Sequence, residues 1–216
     1  MGMLTLQKLP MMERPKVTEG VWNVYLDQDR AFGFGCNSLS PASIGPIAHG
    51  QPGLPDARIL ENFHEGSKCF AEELDENGNP GPLYYENRRH FYLAPEPRGH
   101  KYKNVPQFFV WTDRGGKEYH LTCIESRQFY CTFYERIAKE TDDFKHLCDL
   151  LRLGTNLEIC GYDGNPLKDG QTLDEAYEDD SVSFGHERVL YTMLLFRTQG
   201  RPECDYPWRK NTMFDF

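Results

Sequence analysis

The stretch DFKHLCDLLRLGTNLEICGYDG, residues 143–164, narrows the possible folds more than any other part of the chain. Phe144, Leu147 and Leu151 recur at helical spacing and mark the inner face of a helix predicted over 142–153. Gly154 follows as the C-terminal cap, where the backbone turns left-handed. NLEICGY, 156–162, then reads as a buried strand closing on Asp163. A helix, its stop signal and a buried strand in direct succession call for a core that mixes helices with a sheet.

The flanking sequence fits an α+β chain. VWNVYL, 21–26, alternates like a half-buried strand before the turn-forming DQDR, and FGFGCNSLSPASIGPI is a loop that holds its backbone close to something. A helix is predicted over 55–68, with Pro55 in its first turn and Ile59, Leu60, Phe63 and Phe70 to one side. DENGNPGP, 75–82, is an exposed loop, and YYENRRHFYLAPEPRGHKYKN reads as an irregular, basic and aromatic excursion. PQFFVW–TDRGG–KEYHLTCI predicts a β-hairpin over 107–124. Helices are expected over 126–138, on Phe129, Phe133 and Ile137, and over 185–197, on Val189, Leu190, Met193 and Leu194. The acidic TLDEAYEDD leads into the last of these. The expected organisation is a lead-in over 1–18, one helix-rich α+β domain over 19–200 with a small sheet and hairpin, and a tail over 201–216.

Composition excludes several classes. A formal charge of −9 opposes non-specific coating of nucleic acid, while leaving room for a nucleotide in a pocket with local arginines. Seven cysteines without a CxxC pair or zinc-ligand spacing read as reduced thiols of a cytoplasmic or nuclear protein, with no metal. No apolar run approaches a membrane span. The signatures of P-loop, GxSxG, GxGxxG, HExxH and kinase chemistry are missing.

What remains is a charged stripe. In ENFHEGSK, 61–68, Glu61, Glu65 and Lys68 fall within ~60° on a helix. Such a stripe serves either as a solvated face or as the reacting groups of a cleft. Asp163, beside Gly164, either starts a turn or supplies a carboxylate. Arg127 can reach a phosphate or simply follow Ser126 as an N-cap. His186 and Glu187 open a helix, where capping accounts for them. Arg88, Arg89, Arg98 and Lys101 either track a polynucleotide or belong to a solvated loop.

Taken in order, CNSLSP, the 61/65/68 stripe, the 143–164 stretch and FGHERVLYTMLLFR resemble the NADAR (YbiA-like) family. The matched positions are Asn37, Glu61, Lys68, Leu153-Gly154, Asp163 and the Met193/Arg197 region, over roughly 20–70 and 125–198. Glu65 stands where the family has glutamine, the family's Trp-Gly after the aspartate is absent, and about 75–124 reads as an insertion. The resemblance implies a YbiA-like fold and hydrolysis of an N-ribosyl bond without metal or organic cofactor. The implied substrates are ADP-ribosylated guanine, in nucleotides or nucleic acid, and ribosylamino-pyrimidine phosphates.

A carboxylate beside the anomeric carbon stabilises the positive charge that develops there, and it can also orient the attacking water. Glu61 and Asp163 fit that role, with Lys68 as cationic partner or amine nucleophile. Asn37 and Ser38 fit ribose hydroxyls, Glu65 and Arg127 the remainder of the substrate, and Tyr130 or Tyr134 a stacked base. The alternative is a non-catalytic nucleotide- or ADP-ribose-binding, or interaction, module.

Overall fold

The computed structural model describes residues 1–9, 16–26, 34–210, 212 and 214. In chain order the elements are β1 (Leu4–Lys8), β2 (Val21–Tyr25), β3 (Phe34–Gly35), α1 (Leu60–Ser67), β4 (Lys68–Cys69), α2 (Pro82–Leu93), β5 (Phe108–Thr112) and β6 (Glu118–Leu121). They continue with α3 (Cys123–Ala138), α4 (Asp142–Arg152), β7 (Asn156–Gly161), α5 (Leu173–Glu178) and α6 (His186–Gln199). The class is α+β, with six α-helices and two small sheets among the described residues. Contacts divide it into a parallel unit, 1–40 with 134–212, and a hairpin unit, 41–133 with 213–216.

In the parallel unit the strand order is β1-β7-β2-β3 and every pairing is parallel. Leu6, Ile159 and Val24 lie side by side across the three central rungs, 7%, 0% and 0% exposed. The helix–strand reading of 142–162 holds. Phe144, Leu147 and Leu151 are buried, and the helix ends in a Schellman motif. Gly154 takes φ +96° and its N–H donates to the Leu151 carbonyl, while Thr155 N–H donates to that of Leu150. The acidic segment is itself a helix, α5, started by reciprocal bonds between Thr172 and Glu175.

Three further stretches differ from expectation here, the first being Phe34–Gly35, read as loop and forming the short edge strand β3 against β2. Leu4–Lys8, within the supposed loose lead-in, is a strand bonded along its length to β7. The supposed tail folds into two short 3₁₀ turns at Glu203–Asp205 and Pro207–Arg209 and buries Tyr206 and Trp208. Trp208 Nε1 donates to the buried Glu135 carboxylate at 2.9 Å, and Arg209 pairs with the same group. The DQDR turn lies outside the described residues.

In the hairpin unit, β5 and β6 pair antiparallel as expected, around a turn in which Gly116 takes φ +85°. Lys68–Cys69 adds β4 to the outer side of β5. Phe63 anchors an aromatic core, with ring centroids 5.1 Å from Phe133, 5.5 Å from Phe129 and 5.6 Å from Tyr92.

The helix expected over 55–68 is shorter. Pro55 and Asp56 precede it, Ala57 bridges back to Ile47, and α1 starts at Leu60. The supposed irregular excursion contains α2, with Pro82 in its first turn. Tyr84, Arg88, Phe91 and Tyr92 form its buried stripe, and the arginine inside that stripe hid it. Arg88 is 1% exposed, its Nε donates to Tyr92 and its guanidinium also meets Gln51 and the Val110 carbonyl. It is therefore a core residue and not part of a polynucleotide track. All seven cysteines are free. Among the described residues no helix is long and apolar enough to cross a membrane.

Candidate functional site

In an open parallel sheet the strands' carboxyl ends leave a row of loops on one edge, and chemistry gathers there. In the parallel unit that edge carries three of the residues singled out by sequence. β7 delivers Asp163 two residues past its end, and β3 delivers Asn37 and Ser38 into a 3₁₀ turn. β7 and β3 are separated by β2 alone, so their ends lie about 10 Å apart. Asn37 is exposed, and Ser38 Oγ donates to the Asp143 carboxylate at 2.6 Å.

A fourth group was not assigned to this edge from sequence. Glu187, in the first turn of α6, is 2% exposed. Its carboxylate does not cap α6. Instead Oε1 accepts from the Asp163 backbone N–H at 3.4 Å. Oε2 lies 3.5 Å from His186 Nδ1 and has no hydrogen-bond partner.

Two glycines make room for this arrangement. A Cβ on Gly161 would stand 1.8 Å from Glu187 Oε1, and one on Gly185 would stand 2.6 Å from both Glu187 Oε2 and Asp163 Cβ. The sequence signal was therefore a glycine at the end of β7 and another just before α6, which reveal the acid only once they are known to face each other.

Tyr134 lies beneath these groups. It is fully buried, donates to the Leu39 carbonyl at 2.8 Å and has its ring centroid 6.2 Å from that of His186. Burial, then the charge of Glu187, hold its hydroxyl well above the usual tyrosine range. It braces the Asn37–Leu39 turn from α3 rather than offering a ring to solvent. Burial, with the Asp143 carboxylate second, pushes the Cys36 thiol up to about 12, so it stays protonated.

The hairpin unit holds Glu61, Glu65, Lys68, Arg127 and Tyr130. Glu61 sits in the first turn of α1, its N–H donating to the Pro41 carbonyl at 3.1 Å. Lys68 is not helical: it ends α1 in extended backbone, opens β4 and forms an ion pair with Glu65. The expected helical stripe is thus a two-carboxylate helix face followed by a strand lysine.

His64 stacks on Phe109 at 5.4 Å and tilts onto Tyr130 at 4.9 Å. Burial, then the Lys68 charge, lower its pKa to about 3, which keeps the imidazole neutral. Tyr130 is 8% exposed and Arg127 6%. Ser126 is not the N-cap of α3. That role falls to Thr122, whose hydroxyl accepts from Glu125 N–H at 3.2 Å while Glu125 Oε2 accepts from Thr122 N–H at 2.7 Å. Ser126 donates instead to the Cys123 carbonyl.

The two groups of residues offer different chemistry. The sheet edge offers a buried carboxylate with one free oxygen beside an aspartate and a histidine. The α1–β4 junction offers an acid pair with a lysine already engaged. Compared with protein-family models, curated proteins and solved structures, the chain finds no match.

Proposed function

We infer that the chain hydrolyses an N-ribosyl bond of a nucleotide-type substrate, ADP-ribosylated guanine or a ribosylamino-pyrimidine phosphate, in a YbiA-like manner. The observation that carries the reading is the buried Glu187 carboxylate bonded to the backbone of Asp163 at the carboxyl edge of the parallel sheet. Breaking the C1′–N bond leaves positive charge on the ribose ring, and the electron pair departs with the base. A carboxylate close to C1′ lowers the energy of that charge, and water then adds its oxygen to C1′ while the base nitrogen gains a proton. Asp163 serves this role, with Glu187 fixing its backbone. Asn37 contacts the ribose. Glu61 and Lys68, in the hairpin unit, are carried by the motif order alone, Glu61 as a candidate base and Lys68 as its cationic partner.

The test measures ribose release from both substrate classes by the wild-type chain and by Asp163→Asn, Glu61→Gln and Lys68→Ala. Turnover by wild type and a loss of about a hundredfold or more in each variant, with unfolding midpoints little changed, is the expected result. No turnover by wild type, or variants as fast as wild type, refutes it. The engagement of Lys68 by Glu65 favours a second reading, a module that binds a nucleotide or ADP-ribose without cleaving it. Ligand-induced stabilisation without product identifies that case.

A further inference from the structure

We propose that a hollow in the parallel unit, walled by α4, the end of α6 and the C-terminal 3₁₀ turns, binds a small aromatic anion, an oxyanion carried on a single ring. The hollow measures about 470 Å³, within the usual range for small-molecule sites. Its inner wall is Phe144, Cys148 and Tyr206, 5%, 3% and 3% exposed, an apolar surface with two rings. Charged side chains surround its mouth, and their pairing is uneven.

Lys139 is held by Glu203 at 3.1 Å, and Arg152 by Asp149 at 3.0 Å. Arg197 has no hydrogen-bond or ion-pair partner among the described residues. An oxyanion can take the Arg197 fork without displacing an internal partner. The competing Arg152–Asp149 pair is an exposed one, worth well under ~1 kcal/mol.

Arg152 and Arg197 both line the hollow. Burial raises the Cys148 thiol to about 11, and the charges of Arg152 and then Arg197 oppose that rise. Two guanidinium forks lining one hollow match a carboxylate or phosphate on a ring, which the forks grip while the ring fills the hollow between them. The site is separate from the sheet edge. Glu187 and Arg197 lie ten residues apart on one helix, about 15 Å.

Titration calorimetry on the whole chain tests this, using phenyl phosphate and benzoate as probes, benzyl alcohol as the neutral ring and inorganic phosphate as the ringless anion. Saturable binding of at least one ring-bearing anion is expected, weakened about tenfold or more by Arg197→Ala and less by Arg197→Lys. Tighter binding of phenyl phosphate assigns phosphate, and tighter binding of benzoate assigns carboxylate. Arg197 is exposed, so its variants keep the fold. No saturation by either ring-bearing anion at millimolar concentration overturns the proposal. So does binding of the alcohol or free phosphate as tight as theirs, or an unchanged affinity in Arg197→Ala.

Discussion

Gly161 and Glu187 are expected to be coupled in stability, and Gly161→Ala measures that coupling. The added Cβ would stand 1.8 Å from Glu187 Oε1 and 2.5 Å from both Cδ and Cγ, where ordinary contact begins at 3.4 Å. The carboxylate has to retreat by well over an ångström, and in doing so it releases the Asp163 N–H. Overpacking of this kind costs about 1–3 kcal/mol, and the lost, already long hydrogen bond adds at most about 1 kcal/mol. In a chain of this size that is a fall of roughly 2–16 °C in midpoint.

Cutting Glu187 back to Ala removes all three of the nearest atoms. In that background Gly161→Ala becomes neutral, or favourable by about 0.5 kcal/mol as a strand glycine gains a side chain. Urea unfolding of wild type, both single variants and the double variant gives the coupling energy, expected at about 2–4 kcal/mol. A coupling below about 0.5 kcal/mol refutes the claim that these glycines exist to seat the acid.

His64, with a folded pKa near 3 against an ordinary value of 6.5, binds a proton more readily unfolded than folded. Its contribution is complete above pH 6.5 and drains away as pH falls toward 3, about 1–2 kcal/mol by pH 5. Histidine ring NMR should show no titration of His64 between pH 7 and 5, and a midpoint in that window contradicts its burial. Glu135→Gln should cost about 1–2 kcal/mol, because Arg209 is partly exposed and water screens the pair. Trp208 emission should shift to the blue, because the carboxylate at the indole N–H stabilises an excited state whose electron density has left the pyrrole ring, and an unmoved spectrum counts against the contact. Gly154→Ala forces a side chain into φ +96° and should lower stability by about 1–2 kcal/mol in urea unfolding, an effect absent if the turn relaxes.

Sequence reading succeeded where one segment carries its own instructions. Phe144, Leu147, Leu151 and Gly154 announce a helix and its end, and Gly115-Gly116 between two apolar runs announces a hairpin. It failed where the deciding partner is remote. LTLQK has a single well-buried residue, Leu6, and becomes a strand because β7 offers it a ladder. Arg88 broke the apolar pattern of α2 although the structure buries it among Gln51, Tyr84 and Tyr92. Asp163 was visible as the residue on which a strand closes, whereas Asn37 was visible only as part of a glycine-rich loop, because the two-residue strand β3 ahead of it exists through its pairing with β2. Glu187 was read as a cap because nothing local distinguishes an acid facing its own helix end from one facing a loop across the sheet.

The strand order β1-β7-β2 has a consequence for biosynthesis. β1 and β2 leave the ribosome with an empty slot between them, and the strand that fills it ends at Gly161, some 136 residues after Tyr25. At ordinary elongation rates that wait is roughly 7–30 s. The residues of the hairpin unit, 41–133, are all translated within it. A nascent chain stalled before Gly161 would thus present two open sheet edges to chaperones, and release from them should coincide with the emergence of β7.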